Sequence, residues 1–298
     1  MKATSASRDR RPPAAGRGRP RTWLLPAGAA LLLTATASSA SAQDWRTLAR
    51  ARDYRGETAL AVNIEYGAGR LVVKPAGESV LYRTSLRYDA DAFEPRFEYA
   101  EQRLRLGIAS GKVKGRKHAR EGRLELQVGP RVPLDLDLQF GAAEAEIELG
   151  GLRLRRLHVA TGASATRLQV STANLIEAET IEIEAGAAKL DASGLANLRA
   201  RKLEVSGGVG EVVLDFSGAW TRDLEASIEM GMGTVTIRVP RGLGVRVSRS
   251  GFLSGFDSEG LIKRGNVYYS ENYEGAAHHL DVDLQAALGS VRIVWLDG

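Results

Sequence analysis

The 298-residue sequence contains no cysteine at all, which excludes a disulfide scaffold, a thiolate metal centre, a catalytic thiol and a lipidated cysteine. It has four histidines (His118, His158, His278 and His279), too few for a histidine-based metal cluster of the usual kind. Aromatic residues make up only 6% of the chain, so stacking platforms for bases must be scarce. One apolar run stands out, Trp23–Leu33, and it is shorter than the roughly 20 residues that a membrane-spanning helix needs. HExxH, GxSxG and a phosphate-binding glycine loop ahead of a helix are all missing.

The net charge of +5 is concentrated at the start. Residues 1–42 hold seven basic side chains against Asp9, and without them 34 basic and 35 acidic side chains remain. A basic stretch, the apolar run and a small polar tail ending Ala40-Ser41-Ala42 read as a secretory signal peptide over 1–42, cleaved near Ala42-Gln43. The expected location is therefore exported, in the periplasm or outside the cell, with no transmembrane span in the mature chain. Nucleic acid loses its electrostatic warrant as a partner.

The rest of the chain is organised by a repeat. Seven copies align on a small residue: Gly67, Gly141, Gly162, Gly186, Gly208, Gly231 and Ala287. Two positions later all are small (Gly69, Ala143, Ser164, Ala188, Gly210, Gly233 and Gly289), and three positions earlier all are apolar, from Ile64 to Leu284. Four positions earlier runs a polar row: Asn63, Asp137, His158, Glu182, Glu204, Ser227 and Asp283. Alternation of period two on either side of a small-residue corner predicts two strands per copy, each with one buried face. From Gly141 to Gly231 there are 90 residues in four steps, a mean of 22.5.

Such a unit cannot bury its apolar face alone and must stack on its neighbours. The expected fold is all-β: an N-terminal β-domain over 43–130, then a parallel β-solenoid of about 22-residue coils over 131–298. An antiparallel barrel of hairpins competes, but has no need of a regular period. The boundary is drawn at Gly129-Pro130-Arg131-Val132-Pro133. Asp44–Tyr54 has the spacing of a short amphipathic helix. The small residues of the two columns serve as structural corners, above all Gly67, Gly69, Gly141, Gly186, Gly208, Gly210, Gly231, Gly233 and Gly289.

Three features bear on chemistry. Lys112, Lys114, Arg116, Lys117 and Arg120 crowd one interstrand segment and form a candidate anion-contacting loop. Phe252, Phe256, Tyr268, Tyr269 and Tyr273 lie in an aromatic-rich insertion at 249–277, either a platform for a sugar or a protein partner or a cover for a solenoid end. An uncovered end invites edge-mediated self-association. Glu182 and Glu204, with Glu184 and Asp137 nearby, offer oxygen ligands of the kind Ca2+ takes, although a solvated charged face is the preferred reading of them. His278-His279 reads as a surface pair.

The glycine-small pattern, VPRGLGVRV (239–247), Tyr269-Ser270-Glu271-Asn272-Tyr273 and the closing ALGSVRIVW resemble bacterial toast-rack domains. Those are β-helical modules of envelope proteins, related to the C-terminal domain of cell-wall-active antibiotic response proteins. Residues 58–130, opening with IEYGAGRLVVKP, are similar to the domain that precedes the toast rack. The resemblance implies no catalytic residues and no cofactor. Its antibiotic-response relatives carry membrane helices, which are not read in this sequence, and restrain an envelope-stress sensor kinase. The expected function is a non-enzymatic binding or adhesion module of the envelope that modulates stress signalling, with an envelope protein or glycan as partner. A polysaccharide-binding or polysaccharide-cleaving β-helix is the alternative, and a concave groove lined by paired carboxylates and arginines would distinguish it. A purely structural spacer is the third class.

Overall fold

The computed structural model describes residues 44–110, 122–251 and 254–297. Over these residues the chain is all-β, with two short 3-10 turns at Leu195–Leu198 and Tyr273–Gly275 and no α-helix among the described residues. The first strands are β1 (Trp45–Asp53), β2 (Leu60–Pro75), β3 (Val80–Asp89), β4 (Phe93–Ala100), β5 (Arg103–Ser110) and β6 (Arg123–Val128). The middle of the chain supplies β7 (Leu134–Glu148), β8 (Leu154–Thr161), β9 (Ala165–Gln169), β10 (Thr180–Ser193), β11 (Lys202–Asp215) and β12 (Leu224–Pro240). The last are β13 (Gly244–Ser250), β14 (Ser254–Asp257), β15 (Leu261–Arg264), β16 (Val267–Ser270) and β17 (His279–Leu296).

The long strands pair side by side in parallel, and their paired residues are those that share a sequence column. Asp137 pairs with His158, His158 with Glu182, Glu182 with Glu204 and Glu204 with Ser227. The apolar column Ile64, Leu138, Val159, Ile183, Val205, Ile228 and Leu284 is at most 2% exposed throughout. Each long strand has two arms on either side of its small-residue corner. The first arm of β2 pairs with β5 and the second with β6, and β7 divides its arms likewise between β8 and β9. Inward side chains of both arms meet in one core, to which each buried Leu, Ile or Val contributes about 1.5–3 kcal/mol.

The corner brings backbones together more closely than side chains allow. Gly210 and Gly233 both have φ of 139°, which β-carbon-bearing residues rarely adopt. A β-carbon on Gly233 would stand 1.9 Å from the Gly210 carbonyl oxygen. Away from the corner, two asparagines tie successive rungs together. Asn174, 2% exposed, accepts from Leu154 N at 2.7 Å and donates to the carbonyls of Leu154 (2.7 Å) and Ile176 (2.8 Å). Asn197 repeats the device, donating to Val170 O and accepting from Ala219 N.

Spatial order departs from chain order at both ends. β2 pairs on one side with β7, and on its other side with β5 and β6, so the chain lays an outer rung before returning inward. At the far end β17 lies between β12 on one side and β13 with β14 on the other. Antiparallel strands extend each end: β4 on β5, then β3 on β6 and β1 on β3, and at the other end β16 on β13 and β15 on β16.

Two expectations need correction. Asp44–Tyr54 is not a helix; residues 45–53 form β1, which pairs antiparallel with β3. The edge of β3 supplies a backbone partner for each residue of β1, and the arginines lie over rings, Arg52 at 4.8 Å from the Tyr99 centroid and Arg50 at 5.7 Å from Phe97. The stretch 249–277 also does not simply interrupt the array, because residues 254–257 pair in parallel with β17 as part of a further rung.

Candidate functional site

The aromatic residues of 254–277 divide between two faces. Tyr268 and Tyr269 are neighbours on β16 and point oppositely, as strand geometry requires. Tyr268 meets Phe256 edge-on at 4.8 Å, and both pack against the core. Tyr269 meets Tyr273 at 5.2 Å on the other face, and Tyr273 meets His279 at 4.9 Å. Tyr273 donates to Asp281 Oδ1 at 3.0 Å; burial and then that carboxylate push its phenol up to about 12. The geometry therefore yields two small clusters in place of one platform. Phe252 lies outside the described residues, as do Lys112, Lys114, Arg116, Lys117 and Arg120.

A groove of about 1130 Å³ follows the corner across the rungs. Its floor is the glycine column from Gly67 to Gly231, and Glu65, Gln139, Glu184, Ser206, Glu229 and Gln285 border it, each two residues before the corner. One residue past the corner, Val209, Met232 and Leu288 pair on three successive rungs and stay 53%, 49% and 39% exposed. Val209, Met232 and Leu288 thus form an exposed apolar ridge next to the corner, outside the residues that line the groove.

A second groove of about 1150 Å³ lies where β4 and β5 rise beside the first arms of β2, β7, β8 and β10. Arg96, Arg103, Arg105 and Arg156 line it together with Glu65, Glu98, Asp135, Asp137 and Glu182. Several of these carboxylates are already engaged. Asp135 accepts from Arg155 at 2.8 and 2.6 Å and also pairs with Arg156. Burial pushes the Asp135 carboxyl up, but the two guanidinium groups outweigh it and hold it below the usual carboxylate range. Glu98 pairs with Arg105 at 3.3 Å and Glu65 with Arg96 at 3.7 Å.

The family model of the N-terminal domain of toast_rack, DUF2154, matches residues 37–192 and again 178–238. The chain belongs to the toast-rack N-terminal domain family. No curated protein matches it. Among solved structures, this toast-rack chain is similar to a candidate cell adhesion protein from Clostridium sporogenes, with 18% identity and a TM-score of 0.42 over 85% of this chain and 100% of that one. It is also similar to a candidate adhesin from Bacteroides fragilis, with 11% identity and a TM-score of 0.39 over 84% and 97% of the two chains.

Within this toast-rack chain the polar row becomes a connected line. Asn63 Nδ2 donates to Asp137 Oδ2 at 2.8 Å, and Asp137 Oδ1 lies 3.0 Å from His158 Nδ1. One ligand atom from each of His158, Glu182 and Glu184 lies within 4.8 Å of the other two. Sequence reasoning placed His158 in the row but did not join it to the acidic pair, because only strand register sets His158 beside Glu182. The sequence reading of Glu204 beside Glu182 agrees with the strand register, but the Glu204 carboxylate is ion-paired with Lys202. His279 is turned to Tyr273 O at 2.9 Å and Asp223 at 3.4 Å. No helix among the described residues is long and apolar enough to cross a membrane.

Proposed function

We infer that the chain is an exported, non-enzymatic envelope module, a parallel β-solenoid with coils of about 22 residues that binds an extended glycan strand along its corner groove. The in-register parallel pairing supports the solenoid, and the N-terminal basic, apolar and A-x-A segments support export. The carrying observation is the corner groove itself. Its polar row repeats at rung spacing, about 4.8 Å, and is broken at Ala160 on β8, offering hydrogen-bonding groups in register to a linear polymer of hydroxyls. The apolar ridge beside it suits the nonpolar faces of sugar rings. Adhesion to a surface polysaccharide, or recognition of envelope glycan during stress, follows from such binding.

The test is equilibrium binding to a panel of defined linear oligosaccharides, with Ser206→Trp and Glu229→Arg placed in the groove. Binding that strengthens with oligosaccharide length and falls at least tenfold in both variants supports the assignment. Length-independent binding, or binding untouched by both variants, overturns it.

The arginine- and carboxylate-lined second groove favours a glycan-cleaving enzyme as the other reading. Such chemistry needs a carboxyl that donates a proton and a second that receives one or attacks. Asp135, Glu65 and Glu98 are bound to arginines, which favours their role in holding the rungs together. Product release from the same oligosaccharides, lost in Asp137→Ala, would replace binding with catalysis.

A further inference from the structure

We propose that His158, Glu182 and Glu184 form a binding site for a single divalent ion of the Zn2+ class, with Asp137 and Asn63 positioning the imidazole.

The site draws on four rungs. Asn63, Asp137, His158 and Glu182 lie side by side on the outer face of the first arms, brought together by parallel register. Asn63 holds Asp137, and Asp137 Oδ1 stands 3.0 Å from His158 Nδ1. When that nitrogen carries the proton and donates a hydrogen bond to the carboxylate, Nε2 keeps its lone pair, the arrangement found where histidine ligates a metal. Nε2 faces Glu184 Oε1 at 3.9 Å. That gap is too long for a hydrogen bond. It exceeds by about half an ångström the roughly 3.4 Å that separates two ligand atoms of a tetrahedral Zn2+ with bonds of about 2.0–2.2 Å, a difference that rotation of the half-exposed Glu184 side chain closes.

Charge points the same way. Several acidic residues of the rungs have a cationic partner: Asp135 with Arg155 and Arg156, Glu146 with Arg70, Glu204 with Lys202, Glu211 with Lys189. Among the described residues, Glu182 has no hydrogen-bond or ion-pair partner, and Glu184 has only His158. Two neighbouring carboxylates are left without a lysine or arginine at the one place where an oriented imidazole joins them. An imidazole with two carboxylates selects Zn2+ and its neighbours over Ca2+, which takes six to eight oxygens. Three protein ligands leave a coordination position for water or a ligand atom. Glu184 borders the corner groove while His158 and Glu182 line the second, so the ion sits at their junction.

The test is calorimetric titration of the purified protein, prepared without a histidine tag, with Zn2+ alone and with Co2+ as a spectroscopic probe. One high-affinity ion per chain is expected. His158→Ala should remove it, and Glu182→Gln and Glu184→Gln should each weaken it at least tenfold. Asp137→Asn should weaken it by roughly 10–100-fold, as loss of an orienting carboxylate does, while the metal-free melting curve stays within a few degrees of the parent. Glu204→Gln and the His278→Ala/His279→Ala pair should leave it intact. The proposal fails if no Zn2+ binds, if His158→Ala binds as the parent does, or if an equal concentration of Ca2+ displaces the ion.

Discussion

Gly233 sits against Gly210 so closely that a β-carbon on the first would fall 1.9 Å from the carbonyl oxygen of the second. The same contact recurs one rung away, where a β-carbon on Gly210 would fall 2.0 Å from Ala188 O. Gly210→Val therefore faces both a positive φ and a backbone clash, at about 1–3 kcal/mol each. Chemical denaturation should show a loss of about 3 kcal/mol or more, against almost none for Glu211→Gln on the exposed face. Equal tolerance of the two would mean that the rungs do not stack through this corner.

Asp135 gives the chain an acid-sensitive clamp. Its carboxyl titrates below the usual range when folded, so the stability it contributes is present above about pH 4, the unfolded value, and is lost as pH falls through the folded value. Solvent reaching Arg156 limits this to about 1 kcal/mol. Asp135→Asn should be less stable at pH 7 by that amount, and the deficit should shrink as pH falls below about 4. An identical slope of stability against pH in both proteins would remove the clamp.

Asn174 satisfies buried backbone groups of Leu154 and Ile176 at once. Asn174→Ala leaves those groups without partners in a site closed to water, a cost of about 2–4 kcal/mol. Thermal unfolding should show a drop of several degrees, and Asn174→Leu, although more apolar, should do no better. A neutral Asn174→Leu would show that the amide is dispensable.

Met232 lies at the centre of the exposed apolar ridge, flanked by Val209 and Leu288 on the adjoining rungs. Met232→Lys should change stability by less than about 0.5 kcal/mol, since nothing buried is disturbed. It should weaken oligosaccharide binding severalfold by charging the ridge. Unchanged affinity in this variant would confine recognition to the polar side of the groove.

The residue columns were legible because each position of a parallel ladder meets its own equivalent. An apolar Ile64, Leu138 or Val159 is repeated by its neighbour, and any departure shows against the rest. Chain order was not legible, since copies in one register carry no mark of which slot they fill. The rung of β13 was hidden by Arg249, which pairs with Leu284 where an apolar residue is expected. It is held there by hydrogen bonds to Ser254 and by the ring of Phe256, 5.7 Å away. β1 was misread because Trp45 and Leu48 satisfy helical spacing, while the neighbour that decides the matter, β3, is some 40 residues away. The His158 cluster needed a register spanning 24 residues from Glu182 before its members met.

The placement of β17 between β12 and β13 has a consequence for how the molecule is completed. Each of its neighbours is synthesised first, so the final eighteen-residue strand enters a slot whose two walls already exist in the chain. Until it does, β12 and β13 both present unpaired edges, and the last rung is a loose flap. The slot closes only once β17 itself has been made. The end of the sequence lies one layer inside the end of the structure.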